Sequence, residues 1–226
     1  MSSIQIPVLF TDDWFLAVSK PAGMPVQSDP TGDEDLLAWL RGERKEPSLE
    51  LAHRIDRPVS GVVLLARTAE ANTAMQALFR ERRMEKRYWA IVERRVEEAQ
   101  AELRHRLVHD ARKHKAVISK AADGEEACTH VRVLALGERY TLVECEPEGG
   151  AFHQIRAQLA AWGHPIKGDV KYGARRGEKD RSIALHARSV RFVHPMTGKE
   201  LTVEASAPLT GIWSPLAASA GLAPSM

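Results

Sequence analysis

The run Val62-Val63-Leu64-Leu65-Ala66, with Pro58 and Gly61 just ahead of it, constrains the fold more than any other stretch of this chain. A short apolar segment without polar alternation, opened by Pro and Gly, reads as a strand buried on both faces. His53, Arg54, Asp56 and Arg57 stand immediately before it. They therefore lie on the connection into an interior strand, where a rigid sheet holds a loop in place. Burying four such groups without partners is costly, so they either pair with one another or face a cleft. Asp56 has two readings: a turn former whose carboxylate caps backbone amides, as Asp near Pro often does, or a carboxylate presented for chemistry.

Around this strand the patterning is that of hairpins with a few helices. Two short strands between Val8 and Lys20 flank the turn Asp12-Asp13, and Pro21, Gly23 and Pro25 close the second. Leu36, Leu37 and Leu40 mark a short helix over Asp33 to Leu40, and Thr68 caps a helix expected to run to about Met84 with Ala71, Met75, Leu78 and Phe79 on one side. Tyr88 to Val92 alternates as a strand, and Val131 to Leu136 and Tyr140 to Cys145 form a hairpin through Gly137-Glu138. Gln154 to Trp162 is a helix stopped by Gly163. Ile183 to Val193 and Glu200 to Ala205 pair across His194 to Gly198. The expected class is α+β, not a wound parallel sheet. Residues 1–213 are expected to form one domain, since no Pro/Ser-rich linker interrupts them, and 214–226 a flexible tail.

The chain has 226 residues, 44% of them apolar, which allows a sizeable core. No apolar stretch is long enough for a membrane helix, and the first residues lack a secretory signal, so a cytoplasmic protein without membrane partners is expected. Cys128 and Cys145 are expected to be buried, reduced thiols. The net charge of +2 hides segregation. Basic residues cluster at Arg80 to Arg87, Arg104 to Lys120 and Lys167 to Arg181, whereas acidic ones concentrate in Asp29 to Glu50 and Glu93 to Glu102. Such clusters are either solvated faces or one positive surface suited to nucleic acid.

The segment HRIDRPVSG, His53 to Gly61, resembles the HRLDxxTSG segment of RluA-type pseudouridine synthases, which isomerise uridine within folded RNA. Four further blocks follow in that family's order: LFTDDWFLAVSKPAGMPV from Leu9, KRYWAIV from Lys86, FHQIRAQLAAWGHPIKGDVKYG from Phe152, and LHARSVRFVHPMTGKE from Leu185. The resemblance implies a pseudouridine-synthase-like catalytic domain, a mixed, mostly antiparallel sheet flanked by helices and loops with a central cleft. It makes Asp56 the catalytic residue, lays Tyr88 against the target uracil, puts Arg54 near the extruded nucleotide and pairs Arg156 with Asp56. His153 stands three residues before Arg156 on the same helical face. The residues alone leave alternatives: Tyr88 as a cross-strand packing aromatic, and Arg156 as an exposed helix residue touching phosphate. Three departures stand out: Val59 replaces the family's Thr, Gly149-Gly150-Ala151 replaces Thr-Gly-Arg, and Gln158 replaces a second His.

Isomerising uridine breaks the bond from ribose C1′ to N1, turns the base and joins C1′ to C5. A carboxylate can stabilise, bond to or deprotonate the sugar as charge builds there, and Asp is ionised near neutrality without help. A stacked uridine does not expose these atoms, so extrusion is expected. No cofactor or metal is required. His105, His109 and His114 are the best metal candidates among nine histidines, but they lack a third ligand at a zinc spacing. Gly149-Gly150 and Gly173 to Gly177 read as turns. The expected partner is a tRNA or rRNA stem-loop, acted on by a monomer. A non-catalytic RNA-binding or folding factor on the same scaffold and a nucleoside glycosidase are the rival readings.

Overall fold

The computed structural model describes residues 5–121, 123–208 and 211–222. Its elements are β1 (Val8–Thr11), β2 (Phe15–Lys20), α1 (Leu36–Arg44), β3 (Glu50–Leu51), β4 (Ser60–Ala66), α2 (Ala69–Arg80), β5 (Glu85–Glu93), β6 (Gln100–Asp110), β7 (Lys115–Ile118), β8 (Glu125–Leu136), β9 (Tyr140–Pro147), α3 (Gln154–Ala161), a 3-10 turn (Val170–Tyr172), β10 (Leu185–Val193), β11 (Glu200–Glu204) and α4 (Trp213–Ser219). The architecture is α+β, as the hairpin patterning predicts. The chain divides into two compact units, Met1–Lys86 with Ala187–Ala205 and Arg87–His186 with Ser206–Met226. Two of the three boundaries fall inside β5 and β10 and the third in the connection from β11 to α4, so composition carries no mark of the first two.

In the first unit β4 is the interior strand expected, with all seven residues buried. It pairs antiparallel with β2, from Phe15 opposite Ala66 to Lys20 opposite Gly61, and its far end takes β3. β10 lies on β4 and carries β11 antiparallel beyond it. Gly61 has φ +111°, and a Cβ there would come 2.2 Å from the Ala187 carbonyl oxygen, so only glycine permits this approach of backbone to backbone. Phe15, Val62, Leu64, Met75, Leu78, Val190 and Phe192 share the core under α2. That helix stops at Arg80, short of the expected Met84. Arg82 turns left-handed at φ 56°, and Arg83 N–H donates to the Leu78 carbonyl, a Schellman ending with arginine in the usual glycine place. At α1 the Asp35 carboxylate caps the Ala38 N–H, which shifts the helix downstream of its expected span to end at Arg44.

The second unit is built on the antiparallel order β5-β9-β8-β6-β7. Neither β6 nor β7 is legible in the sequence as a strand. In β6 only Leu103 and Leu107 are buried, a four-residue spacing that imitates a helix, and polar residues fill the rest. The segment expected to be a flexible tail holds most of α4, which packs on β8 and β9 with Trp213, Leu216 and Ala217 buried. Small residues there serve close packing. Residues 223–226 of that segment lie outside the described ones. No helix among the described residues is long and apolar enough to cross a membrane. Cys128 and Cys145 are buried and free of disulfides.

Candidate active site

Asp56 lies in the loop between β3 and β4, and its half-buried side chain is reachable from solvent while Ile55 beside it enters the core. The loop is held from both sides. Val59 N–H closes a turn onto the Asp56 carbonyl at 3.0 Å, and Gly23 N–H reaches the Arg57 carbonyl at 2.9 Å. Arg57 returns the contact from its Nε to the Gly23 carbonyl at 2.9 Å, and its guanidinium forms ion pairs with Asp29 and Asp33. Arg57 thus fastens the loop and is not free to meet a substrate. Arg54 is exposed. His53 turns inward: its Nε2 accepts from Leu64 N–H at 2.9 Å and its ring packs on Phe79. Burial, and then the nearby Lys86 ammonium, push its pKa down to about 4, which keeps the ring neutral and the acceptor available.

Beneath the loop, Lys20 ends β2 with no exposed surface. Its Nζ donates to the carbonyls of Met24 (2.7 Å), Pro21 (2.9 Å) and Arg57 (3.1 Å), which uses all three of its donors on neutral oxygens. Burial lowers its pKa to about 7, with the Asp56 carboxylate opposing that fall and the Arg57 guanidinium adding to it. Lys20 belongs to the Lys-Pro-Ala-Gly turn of the sequence. That turn therefore tethers the Asp56 loop and puts a cation in its field, a role not legible in the motif alone.

In the second unit, Tyr88 is half-buried on β5 opposite Cys145 of β9, which stands opposite Val131 of β8. Thr129 lies two residues from Val131 on the same face, and it bonds Gln154 and Gln158 of α3. Tyr88 and α3 therefore share one side of this sheet. Arg156 is 5% exposed, which excludes the reading as an exposed helix residue. Asp169 grips it in the two-pronged geometry of a strong ion pair, Nε to Oδ2 at 2.7 Å and Nη2 to Oδ1 at 2.9 Å. The Tyr172 ring lies 5.1 Å from the guanidinium carbon. Asp169 is fixed through its neighbours: Ile166 bridges Val92 of β5, and Lys167 N–H donates to the Ile91 carbonyl.

His153 occupies the N-cap of α3 in the left-handed region, at φ 52° and ψ 26°, a conformation that costs about 1 kcal/mol or more for a residue with a Cβ. Both ring nitrogens are engaged. Arg156 Nη1 can only donate, so Nε2, 3.0 Å away, accepts. The proton is then on Nδ1, which donates to the Tyr172 hydroxyl at 2.9 Å, and that hydroxyl donates onward to the Ala116 carbonyl while accepting from Ala116 N–H. His153 and Arg156, expected on one helical face, are thus brought together, and Asp169 and Tyr172 complete the cluster. These two were missed; the signal was their place in the block Gly168-Asp169-Val170-Lys171-Tyr172-Gly173. Gln158 donates to the Leu103 and Ala127 carbonyls and accepts from the Thr129 hydroxyl, so it ties α3 to the strands beneath it.

The comparisons with known proteins decide the family. The model for RNA pseudouridylate synthases matches residues 14–161, which holds the Asp56 loop, the Tyr88 strand and α3. The chain belongs to the RNA pseudouridylate synthase family. Its reaction is the isomerisation of uridine to pseudouridine in RNA. A tRNA pseudouridine synthase C of Vibrio parahaemolyticus is 33% identical over 91% of this chain and 92% of its own length. A ribosomal large subunit pseudouridine synthase C of Escherichia coli is 33% identical over 88% of this chain but 65% of its own. Among solved structures, human RNA pseudouridylate synthase domain containing 1 superposes with a TM-score of 0.78 at 25% identity, covering 91% of this chain and 85% of its own.

Proposed function

We propose that this pseudouridine synthase acts on a uridine in a tRNA stem-loop and that Asp56 is its catalytic carboxylate. The observation that carries the reading is the state of Asp56, a solvent-reachable carboxylate on a loop tethered to Lys20 and Arg57 at the mouth of a wholly buried strand. Orientation, not activation, is what an ionised Asp needs. In this account Asp56 engages the nucleotide as the C1′–N1 bond breaks, the base turns, and the C1′–C5 bond forms. The C5 proton leaves to the Tyr88 hydroxyl or water and N1 takes up a proton, so the reaction balances without a cofactor. The Tyr88 ring stacks on the detached uracil. Arg54, exposed beside the loop, holds the phosphate or fills the space the base vacates, and Arg156, gripped by Asp169 and fixed by His153, contacts the substrate. Likeness over nearly the whole length of a tRNA-named relative favours tRNA over rRNA. We further take the enzyme to be a cytoplasmic monomer, a state that sedimentation with and without tRNA will check.

Release of tritium from transcripts labelled at uridine C5 tests the proposal. Label is expected to leave one site in tRNA and none in ribosomal hairpins. Binding without release on any RNA would favour the non-catalytic RNA factor, a reading suggested by the loss of the family's Arg at Ala151, and free uracil would mark a glycosidase.

A further inference from the structure

On the second unit, the sheet face turned away from α3 carries a set of ligand atoms that the isomerase reaction does not use. Cys128 and His130 stand two apart on β8 and so point to the same side. Glu102 of β6 is the direct cross-strand partner of His130, and Glu148 N–H bonds the Cys128 carbonyl just past the end of β9. The ligand atoms of Glu102, Cys128 and His130 all lie within 4.8 Å of one another. Glu148 Oε1 is 2.8 Å from His130 Nε2, the Cys128 sulfur is 3.9 Å from the same nitrogen, and His130 Nδ1 lies 3.7 Å from Glu102 Oε2. The thiol forms the buried floor, and the imidazole and carboxylates stand half-exposed above it.

We propose that Glu102, Cys128, His130 and Glu148 form a binding site for a single zinc ion that clamps β6, β8 and the end of β9. Tetrahedral zinc with bonds of about 2.0–2.3 Å holds its ligand atoms roughly 3.3–3.8 Å apart. With Nε2 as the ring ligand, the Cys128 sulfur at 3.9 Å and Glu148 Oε1 at 2.8 Å lie on either side of that range, and Glu102, whose present contact is with Nδ1, must turn toward Nε2 to complete the set. Thiolate with imidazole selects a borderline-soft cation over magnesium or calcium, and four protein ligands make a closed, structural site. Arg104 is the resident competitor: it faces Cys128 across the strands and pairs with Glu102, and zinc must displace it. The site is distinct from the sequence candidates His105, His109 and His114, which do not group with it.

The test is titration of the chelator-stripped full chain with zinc by calorimetry and with cobalt by absorption. One equivalent should bind, with a thiolate-to-cobalt charge-transfer band in the near ultraviolet that zinc abolishes by displacement. Cys128→Ala should remove the band and weaken binding by ~10-fold or more, His130→Gln and Glu148→Gln should weaken it likewise, and Cys145→Ala should leave it intact. Arg104→Ala should tighten it, the outcome a simple salt-bridge network would not give. Glu148→Gln preserves shape and carries the test should Cys128→Ala fail to fold. The proposal is overturned by wild-type binding no stronger than that of Glu148→Gln, or by bound cobalt without a thiolate band.

Discussion

Each unit buries one cation beside the residues proposed for chemistry, and the two are held in opposite ways. In the first, the Lys20 ammonium sits among three backbone carbonyls, and burial draws its pKa down to about 7. In the second, the Arg156 guanidinium is clasped by a buried carboxylate, Asp169, and keeps its charge at any pH a protein survives. Neutral oxygens stabilise a cation by dipoles alone, so the Lys20 charge is conditional; a full counter-ion in a fixed fork makes the Arg156 charge permanent. The first arrangement tethers a loop with an adjustable field at Asp56. The second fixes the entry to α3 and the strained His153.

Asp169→Ala breaks this comparison with the largest effect. It removes the buried carboxylate that grips Arg156 at two points and should cost about 3–5 kcal/mol in urea unfolding; a loss under about 1 kcal/mol would make the pair equivalent to a surface one. Lys20→Met should cost less, about 1–3 kcal/mol, because it strands carbonyls and not a charge. It also has a pH signature. Lys20 titrates near 7 in the folded chain against 10.5 unfolded, so the unfolded chain binds more protons between these values and wild-type stability gains from this group as pH rises from 7 to 10. That gain should vanish in Lys20→Met, whereas variants at Arg156 should retain it. Gln158→His should lose about 1–2 kcal/mol, since an imidazole cannot replace two donated bonds and one accepted. The last effect, at His53, is confined to acid pH. Its folded pKa lies near 4 against 6.5, so stability present above 6.5 is lost as pH falls toward 4, and His53→Gln should flatten that part of the acid limb.

The fold was legible where one physical cause dominates. β4 shows in the sequence because both its faces are buried, and the hairpin of β8 and β9 because Gly137 marks its turn, with its N–H on the Tyr140 carbonyl. β6 escaped because its two buried residues, Leu103 and Leu107, stand four apart, and β7 because it has four residues with only Ala116 buried. α4 escaped because alanine and serine look like a tail until a sheet is there to cover them. The same holds at the site. Asp56, Tyr88, Arg54, Arg156 and His153 come from motif blocks, while the roles of Lys20, Asp169 and Tyr172 depend on contacts 13 to 56 residues apart that no local pattern encodes. A loss of stability on removal of Arg156 reports the Asp169 pair, so melting alone does not test its proposed role toward substrate.

The catalytic role of the Asp56 carboxylate is decided by single-turnover release of C5 tritium from tRNA by the wild type and by Asp56→Asn at matched saturation. Asn, isosteric and still tethered by the Arg57 and Gly23 contacts, should lower the release rate by ~1000-fold or more with tRNA affinity within about twofold. Release within about tenfold of wild type would contradict it.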